Sequence, residues 1–148
     1  MIRLATRSDI NVVTDLICEF LQNTSYHDHT DNVDINHIKQ LVYVILQQGY
    51  IWLLYKDNEA VGLLAAVRER NIWLPNKITL RELVWYVREQ YRTSVLAGRL
   101  FITFCNVAQR LLETDNIVGY FTTRMSTTAD YDLERRGFRL TEKLYFKD

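Results

Sequence analysis

Thr79-Leu80-Arg81-Glu82-Leu83-Val84-Trp85-Tyr86-Val87-Arg88-Glu89-Gln90-Tyr91-Arg92-Thr93-Ser94-Val95-Leu96-Ala97-Gly98-Arg99-Leu100 passes from one kind of structure to another. Thr79 to Val87 is β-branched and aromatic, which predicts a strand. A turn of five residues follows. A helix then opens at Ser94 or Val95 and runs to Glu113, with Leu96, Leu100, Phe104, Val107, Ala108, Leu111 and Leu112 at helical spacing. Backbone amides of such a turn and of the first helical turn are suited to an anion. Residues 68–110 carry 8 basic against 3 acidic side chains, net +5. A single phosphorylated ligand fits that local charge better than a polymer does. Read singly, Arg68, Arg70, Arg81, Arg88 and Arg99 are ordinary surface charges.

Upstream, Ile2-Arg3-Leu4 reads as a short strand. Ser8-Asp9 offers helix-start chemistry for a helix over about 9–22. Asn23 to Asp34 is polar and without period. A second helix is expected from Ile35 to Gln48, with Gly49 placed to stop it. Tyr50 to Lys56 and Ala60 to Val67 flank Asp57-Asn58-Glu59 as an antiparallel hairpin, and Asn71 to Lys77 is a further turn. Downstream, Ile117 to Thr122 reads as strand. Thr127-x-x-Asp130 resembles a capping box for a short helix to Arg136, with Gly137 as a left-handed cap. Strands at about Phe138–Leu140 and Leu144–Phe146 complete the expected order β-α-α-β-β-β-α-β-α-β-β.

The chain has 148 residues, one Pro and five Gly, which predicts a single domain over 1–148 with no linker. A domain of this size buries about 70% of its unfolded surface, enough for a core without disulfides or structural metal. Apolar residues make up 48% and charged residues 24%, which excludes a disordered or collagen-like chain. The 18 basic and 18 acidic residues cancel, so neither bulk nucleic-acid binding nor a polybasic membrane surface is expected. Cys18 and Cys105 fall in apolar helical patterns and read as reduced packing residues, which fits a cytoplasmic setting. Neither a signal peptide nor a membrane span is expected.

Element order and the 79–100 segment together resemble the GCN5-related N-acetyltransferases. Trp85-Tyr86-Val87 corresponds to that family's fourth-strand end, and Tyr91-Arg92 to the opening of its Gln/Arg-x-x-Gly-x-Gly/Ala loop. Ala97 corresponds to the last small residue of that loop. Val95 stands at the usual Gly position, with Gly98 one place beyond Ala97. Ile2-Arg3-Leu4-Ala5-Thr6-x-x-Asp9 and Arg136-Gly137-Phe138-Arg139 also look typical. The resemblance implies an α/β acyl-CoA N-acyltransferase fold, with a mixed, mostly antiparallel central sheet flanked by helices on both faces. It further implies acetyl-CoA as co-substrate. The pantetheine arm would pair with Trp85, Tyr86 and Val87, and the region of Arg92, Thr93, Ser94, Val95, Leu96, Ala97 and Gly98 would hold the pyrophosphate. No covalent acyl-enzyme is needed, because a held amine attacks the thioester directly.

An ammonium acceptor must lose a proton before attack, so a carboxylate is the natural base. Glu82 is the candidate, against the plain alternative of a solvated strand start. Simple alternation places it with Val84 and Tyr86, opposite Leu83, Trp85 and Val87. The family's usual acid Tyr is Leu133 here, and Tyr131, two residues earlier on a helix, cannot substitute. Ser126 replaces the family's common Asn. Tyr120 is then the candidate acid, alongside unaided departure of the thiolate and loss of catalysis. His27-x-His29 lacks a third fixed ligand, so no metal is expected. Tyr26, His27, His29 and Trp73 are instead candidate acceptor contacts, Trp73 alternatively a subunit contact. An acetyltransferase acting on a small-molecule or peptide amine leads, and a homodimer is among the expected states. A GNAT-fold binding or inhibitory module, with or without the coenzyme, is the competing class.

Overall fold

A computed structural model of the chain describes residues 1–24, 33–92, 94–123 and 132–141. The elements are β1 (Ile2–Leu4), α1 (Ile10–Gln22), α2 (Ile35–Gln48), β2 (Gly49–Lys56), β3 (Glu59–Arg70), β4 (Ile78–Val87), α3 (Ser94–Glu113) and β5 (Tyr120–Phe121). The sheet runs β1-β2-β3-β4-β5 in sequence order. Its first three pairings are antiparallel, and β4 pairs β5 in parallel across the α3 crossover. This is the mixed sheet with helices on both faces that the resemblance implies.

Local chemistry explains the joints. Asp34 Oδ1 accepts the Asn36 and His37 amides at 2.9 and 3.1 Å, so α2 starts there. Asp57 and Asn58 both take positive φ (51° and 65°), the pairing that a tight hairpin turn requires. Before α1, Arg3 forks onto Asp9 at 2.7 and 2.8 Å, and Asp9 Oδ2 also accepts the Thr6 amide at 2.7 Å. A 3-10 turn over Arg7–Asp9 therefore precedes the helix.

Two cores lie on opposite faces of the sheet. Val13, Leu16 and Ile17 of α1 and Val42 and Ile45 of α2 pack against Ile51, Leu53, Leu63, Ala65, Val84 and Tyr86. On the other face Leu100, Phe101, Phe104 and Ala108 of α3 meet Trp52, Leu54, Leu64, Ala66, Leu80 and Val87. By length and composition Val95–Glu113 passes for a membrane-crossing helix, a stretch longer than the strand-sized runs expected. Leu100, Phe101, Phe104 and Ala108 bury one stripe of it against the sheet, while Val95 and Ile102 are exposed.

Several expectations need correction. Gly49 does stop α2, its N–H donating to the Ile45 carbonyl, but its φ of −154° is extended and it also opens β2. Glycine is required because a Cβ there would stand 2.1 Å from the Ala66 carbonyl oxygen. The strand expected over Ile117–Thr122 contracts to Tyr120–Phe121. Phe138–Leu140 forms no strand. Gly137 does take the left-handed cap (φ 84°), closing a 3-10 turn over Glu134–Arg136. The Thr127–Asp130 helix start and the Leu144–Phe146 strand lie outside the described residues.

Candidate active site

The strands β4 and β5 part company at Glu82. Up to that point they are bonded: Val118 N–H donates to the Ile78 carbonyl at 2.8 Å, and Leu80 N–H to the Gly119 carbonyl at 3.1 Å. Leu80 then pairs Tyr120, and Arg81 pairs Phe121. Beyond them the Thr123 amide donates to Glu82 Oε2 at 3.0 Å, as does the Thr122 hydroxyl. A side-chain carboxylate has taken the place of the next backbone acceptor. Among the described residues β5 makes no further strand pairing with β4, while β4 continues to Val87.

Register fixes which way the backbone groups of β4 turn beyond Arg81. Arg88 N–H donates to the Val61 carbonyl at 2.9 Å, so Arg88 and Val61 are a hydrogen-bonded pair. The next pair, Val87 with Gly62, is then of the non-bonded kind, and Trp85 with Leu64 likewise. Val87 and Trp85 therefore turn their N–H and C=O groups away from β3, toward the fork. These are two of the three residues that the resemblance assigns to the coenzyme arm. Tyr86 instead spends its backbone groups on β3. Its side chain lies on the α1 face, with its hydroxyl 3.3 Å from Glu19 Oε2. The Trp85 ring stacks on Phe101 of α3 at 4.7 Å.

Glu82 does not share a face with Val84 and Tyr86, as simple alternation predicts. The β3–β4 register jumps from Ala65↔Val84 to Ala66↔Glu82, leaving Leu83 as an inserted residue. Ala66 belongs to the α3-side core, so the bulge turns Glu82 to that face, with Leu80, Trp85 and Val87. There it is only 5% exposed, not a solvated strand start. Burial pushes its pKa up, opposed by the Thr123 and Thr122 hydrogen bonds. Both bonds fall on Oε2, and among the described residues Oε1 accepts none.

Tyr120 lies on this face too, its ring boxed by Phe104 and Phe138 at 5.6 and 5.3 Å. Burial first, and the neighbouring Cys105 second, raise its pKa and keep the hydroxyl protonated. The Cys105 thiol is itself pushed up to about 11 by burial, the opposite of an activated nucleophile. Leu133 packs into the α3-side core, so the position of the family's usual acid holds no hydroxyl here.

Past β4, a 3-10 turn over Glu89–Tyr91 leads to Arg92 and then α3. Val95 is 59% exposed in the first turn, with Leu96 and Ala97 half-buried. Gly98 sits one turn in, where its N–H belongs to the helix's own i→i−4 ladder. The amides available to an anion are thus nearer Ser94 and Val95. Arg92 Nε donates to the Val87 carbonyl at 2.6 Å, and its guanidinium lies 5.5 Å from the Tyr86 ring centroid. Sequence reading missed this contact, as it missed Arg88, which forks onto Glu19 at 2.8 and 2.9 Å and also pairs with Glu59. Trp73 is 82% exposed on the β3–β4 hairpin tip, at the end of β4 away from Val87. Tyr26, His27, His29 and Thr93 lie outside the described residues. No cluster of three or more metal-ligating side chains occurs among the described residues.

Solved structures resemble this chain along nearly its whole length. A possible acetyltransferase from Clostridium difficile 630 superposes with a TM-score of 0.72 at 18% identity, over 99% of this chain and 95% of that one. A GNAT family acetyltransferase of Staphylococcus aureus gives 0.66 at 18% identity, over 100% and 97%. The ribosomal-protein-alanine N-acetyltransferase of Brucella melitensis biovar Abortus 2308 gives 0.69 at 12% identity, over 99% and 97%. Neither a family model nor a curated protein sequence matches this chain. The fold is that of the GNAT acetyltransferases.

Proposed function

We propose that this protein is an acetyl-CoA-dependent N-acetyltransferase that moves the acetyl group to a primary amine by direct attack. The observation that carries the reading is the fork: among the described residues β5 no longer pairs with β4 beyond Arg81, Val87 turns its N–H away from β3, and a buried carboxylate lies at the apex. Acetyl-CoA supplies the activated acyl group as a thioester. The Val87 N–H, turned into the fork, suits negative charge developing on a carbonyl oxygen. Glu82 lies about 15 Å before Val87 along β4, so the proton that the ammonium must lose passes to Oε1 through water, and the raised pKa brings this carboxylate closer to neutral working pH. The amine nitrogen bonds to the acyl carbon, the carbon–sulfur bond breaks, and Tyr120 gives the departing thiolate its proton. The Arg92 region and the first amides of α3 are the proposed pyrophosphate contacts. The 23–34 segment is the proposed acceptor contact, and Trp73, at the far tip of the β3–β4 hairpin, is the proposed contact with a second copy in a homodimer.

Calorimetry with acetyl-CoA and release of free thiol with a panel of amines test this reading. Glu82→Gln should keep coenzyme binding while the rate falls by ~10²–10⁴, with partial rescue at higher pH, where more amine arrives deprotonated. A rate within a few-fold of the parent removes Glu82 from the chemistry. Leu133 in the core favours one second reading, a coenzyme-binding module without turnover. Coenzyme binding with no thiol release from any amine would select it.

A further inference from the structure

We propose that Arg92 is a latch on the β4 edge, one that a phosphate-bearing thioester opens and a phosphate-free thioester does not. The inference rests on the coenzyme reading above and concerns the same fork. The Val87 carbonyl faces the fork because its pair with Gly62 is of the non-bonded kind. It is not idle there, since Arg92 Nε donates to it at 2.6 Å. The turn that allows this is itself fixed: Tyr91 N–H donates to the Arg88 carbonyl at 2.9 Å and Arg92 N–H to the Glu89 carbonyl at 3.0 Å. The chain thus doubles back, and the guanidinium lies 5.5 Å from the Tyr86 ring centroid. A ligand arm that pairs with β4 as an added strand needs the carbonyl Arg92 now holds.

The competition is unequal for two kinds of ligand. A guanidinium prefers a phosphate, with a forked and doubly charged pairing, to a neutral carbonyl. A carrier with a pyrophosphate seated near the start of α3 draws Arg92 off Val87 and uncovers the edge for its own amide arm. A pantetheine thioester has no phosphate and must break the Arg92 bond with nothing in return. Arg92 therefore makes the site selective for phosphorylated carriers, and it couples phosphate binding to arm binding. The coupling is reciprocal, as linkage requires.

Titration of the full chain with acetyl-CoA, with S-acetylpantetheine and with inorganic pyrophosphate tests this. In the wild type, saturating pyrophosphate should tighten S-acetylpantetheine binding by ~10-fold, the value of one hydrogen bond to a charged group. Arg92→Ala should bind S-acetylpantetheine more tightly than the wild type by a similar factor, bind acetyl-CoA more weakly, and lose the pyrophosphate effect. A residue that only grips phosphate would leave S-acetylpantetheine binding unchanged in both experiments. That outcome, with acetyl-CoA still bound by the wild type, overturns the latch and leaves the coenzyme reading intact. Failure of acetyl-CoA to bind the wild type at millimolar concentration overturns both. Arg92 is exposed, so near-UV circular dichroism of the variant should match the parent.

Discussion

Glu82 is held between opposing demands. Burial on the α3 face disfavours its charge, while the Thr122 hydroxyl and the Thr123 amide favour it. Burial wins, so the folded pKa lies above the unfolded one. A carboxyl shifted in that direction contributes stability that is fully present below the unfolded pKa. The contribution is lost as pH rises through the folded pKa. Glutamine at this position keeps an oxygen for the two threonine donors and carries no charge at any pH. Glu82→Gln should therefore gain on the wild type as pH rises, and should exceed it in stability at pH 8 although not at pH 4. Urea midpoints measured at both pH values check this. Parallel curves for the two proteins would mean that the carboxylate ionises without cost, and its fitness as a base would need another explanation.

At the scale of elements, the close pair of β3 and β4 at Gly62 and Val87 sets the position of the β4 edge beyond Arg81. A Cβ on Gly62 would stand 2.7 Å from the Tyr86 carbonyl oxygen and 2.9 Å from Val87 Cγ2. The first of these is backbone, so β4 itself must shift. Gly62→Ala should cost about 1–3 kcal/mol and should weaken acetyl-CoA binding as well. Val42→Ala, a cavity of comparable cost on the α1–α2 face, should lower stability and spare binding. Denaturant melts paired with calorimetry on both variants separate the two effects. Most elements were legible in sequence because their apolar periods are local: the α2 stripe, the hairpin turn at Asp57-Asn58 and the β4–α3 passage are all near-neighbour patterns. The bulge at Leu83 was not legible. Alternation assumes that no residue is inserted, and only the partner strand reveals that one is. Gly49 stops α2 as read, but its close crossing of Ala66 was not legible, since a helix stop and a close crossing ask for the same residue. At its far end β5 stops where a side chain, Glu82, captures the Thr123 amide, the next of the ladder. No local pattern announces such a capture.

Across the whole molecule, the α1 layer is tied to the end of β4 by one cation. Arg88 lies just where the chain leaves the sheet for α3, and it reaches Glu19 of α1 and Glu59 at the start of β3. Its own amide is held by the Val61 carbonyl, so three elements meet on one residue. Glu19 and Arg88 are 69 positions apart, which is why charge counting saw only a surface arginine. The Arg88 side chain is 23% exposed and Glu19 34%, so water screens the pair only in part. Arg88→Met should cost about 1–2 kcal/mol after that screening is allowed for. Part of the loss arises from what is left behind: two carboxylates without their cation, one of them beside the Tyr86 hydroxyl. Adding Glu19→Gln to Arg88→Met should then recover some stability, although Glu19→Gln alone should be destabilising. Urea unfolding of the wild type, both single variants and the double variant reads this coupling directly. Additive losses would show that Arg88 and Glu19 contribute separately, and that the α1 layer is held to the sheet by its apolar core.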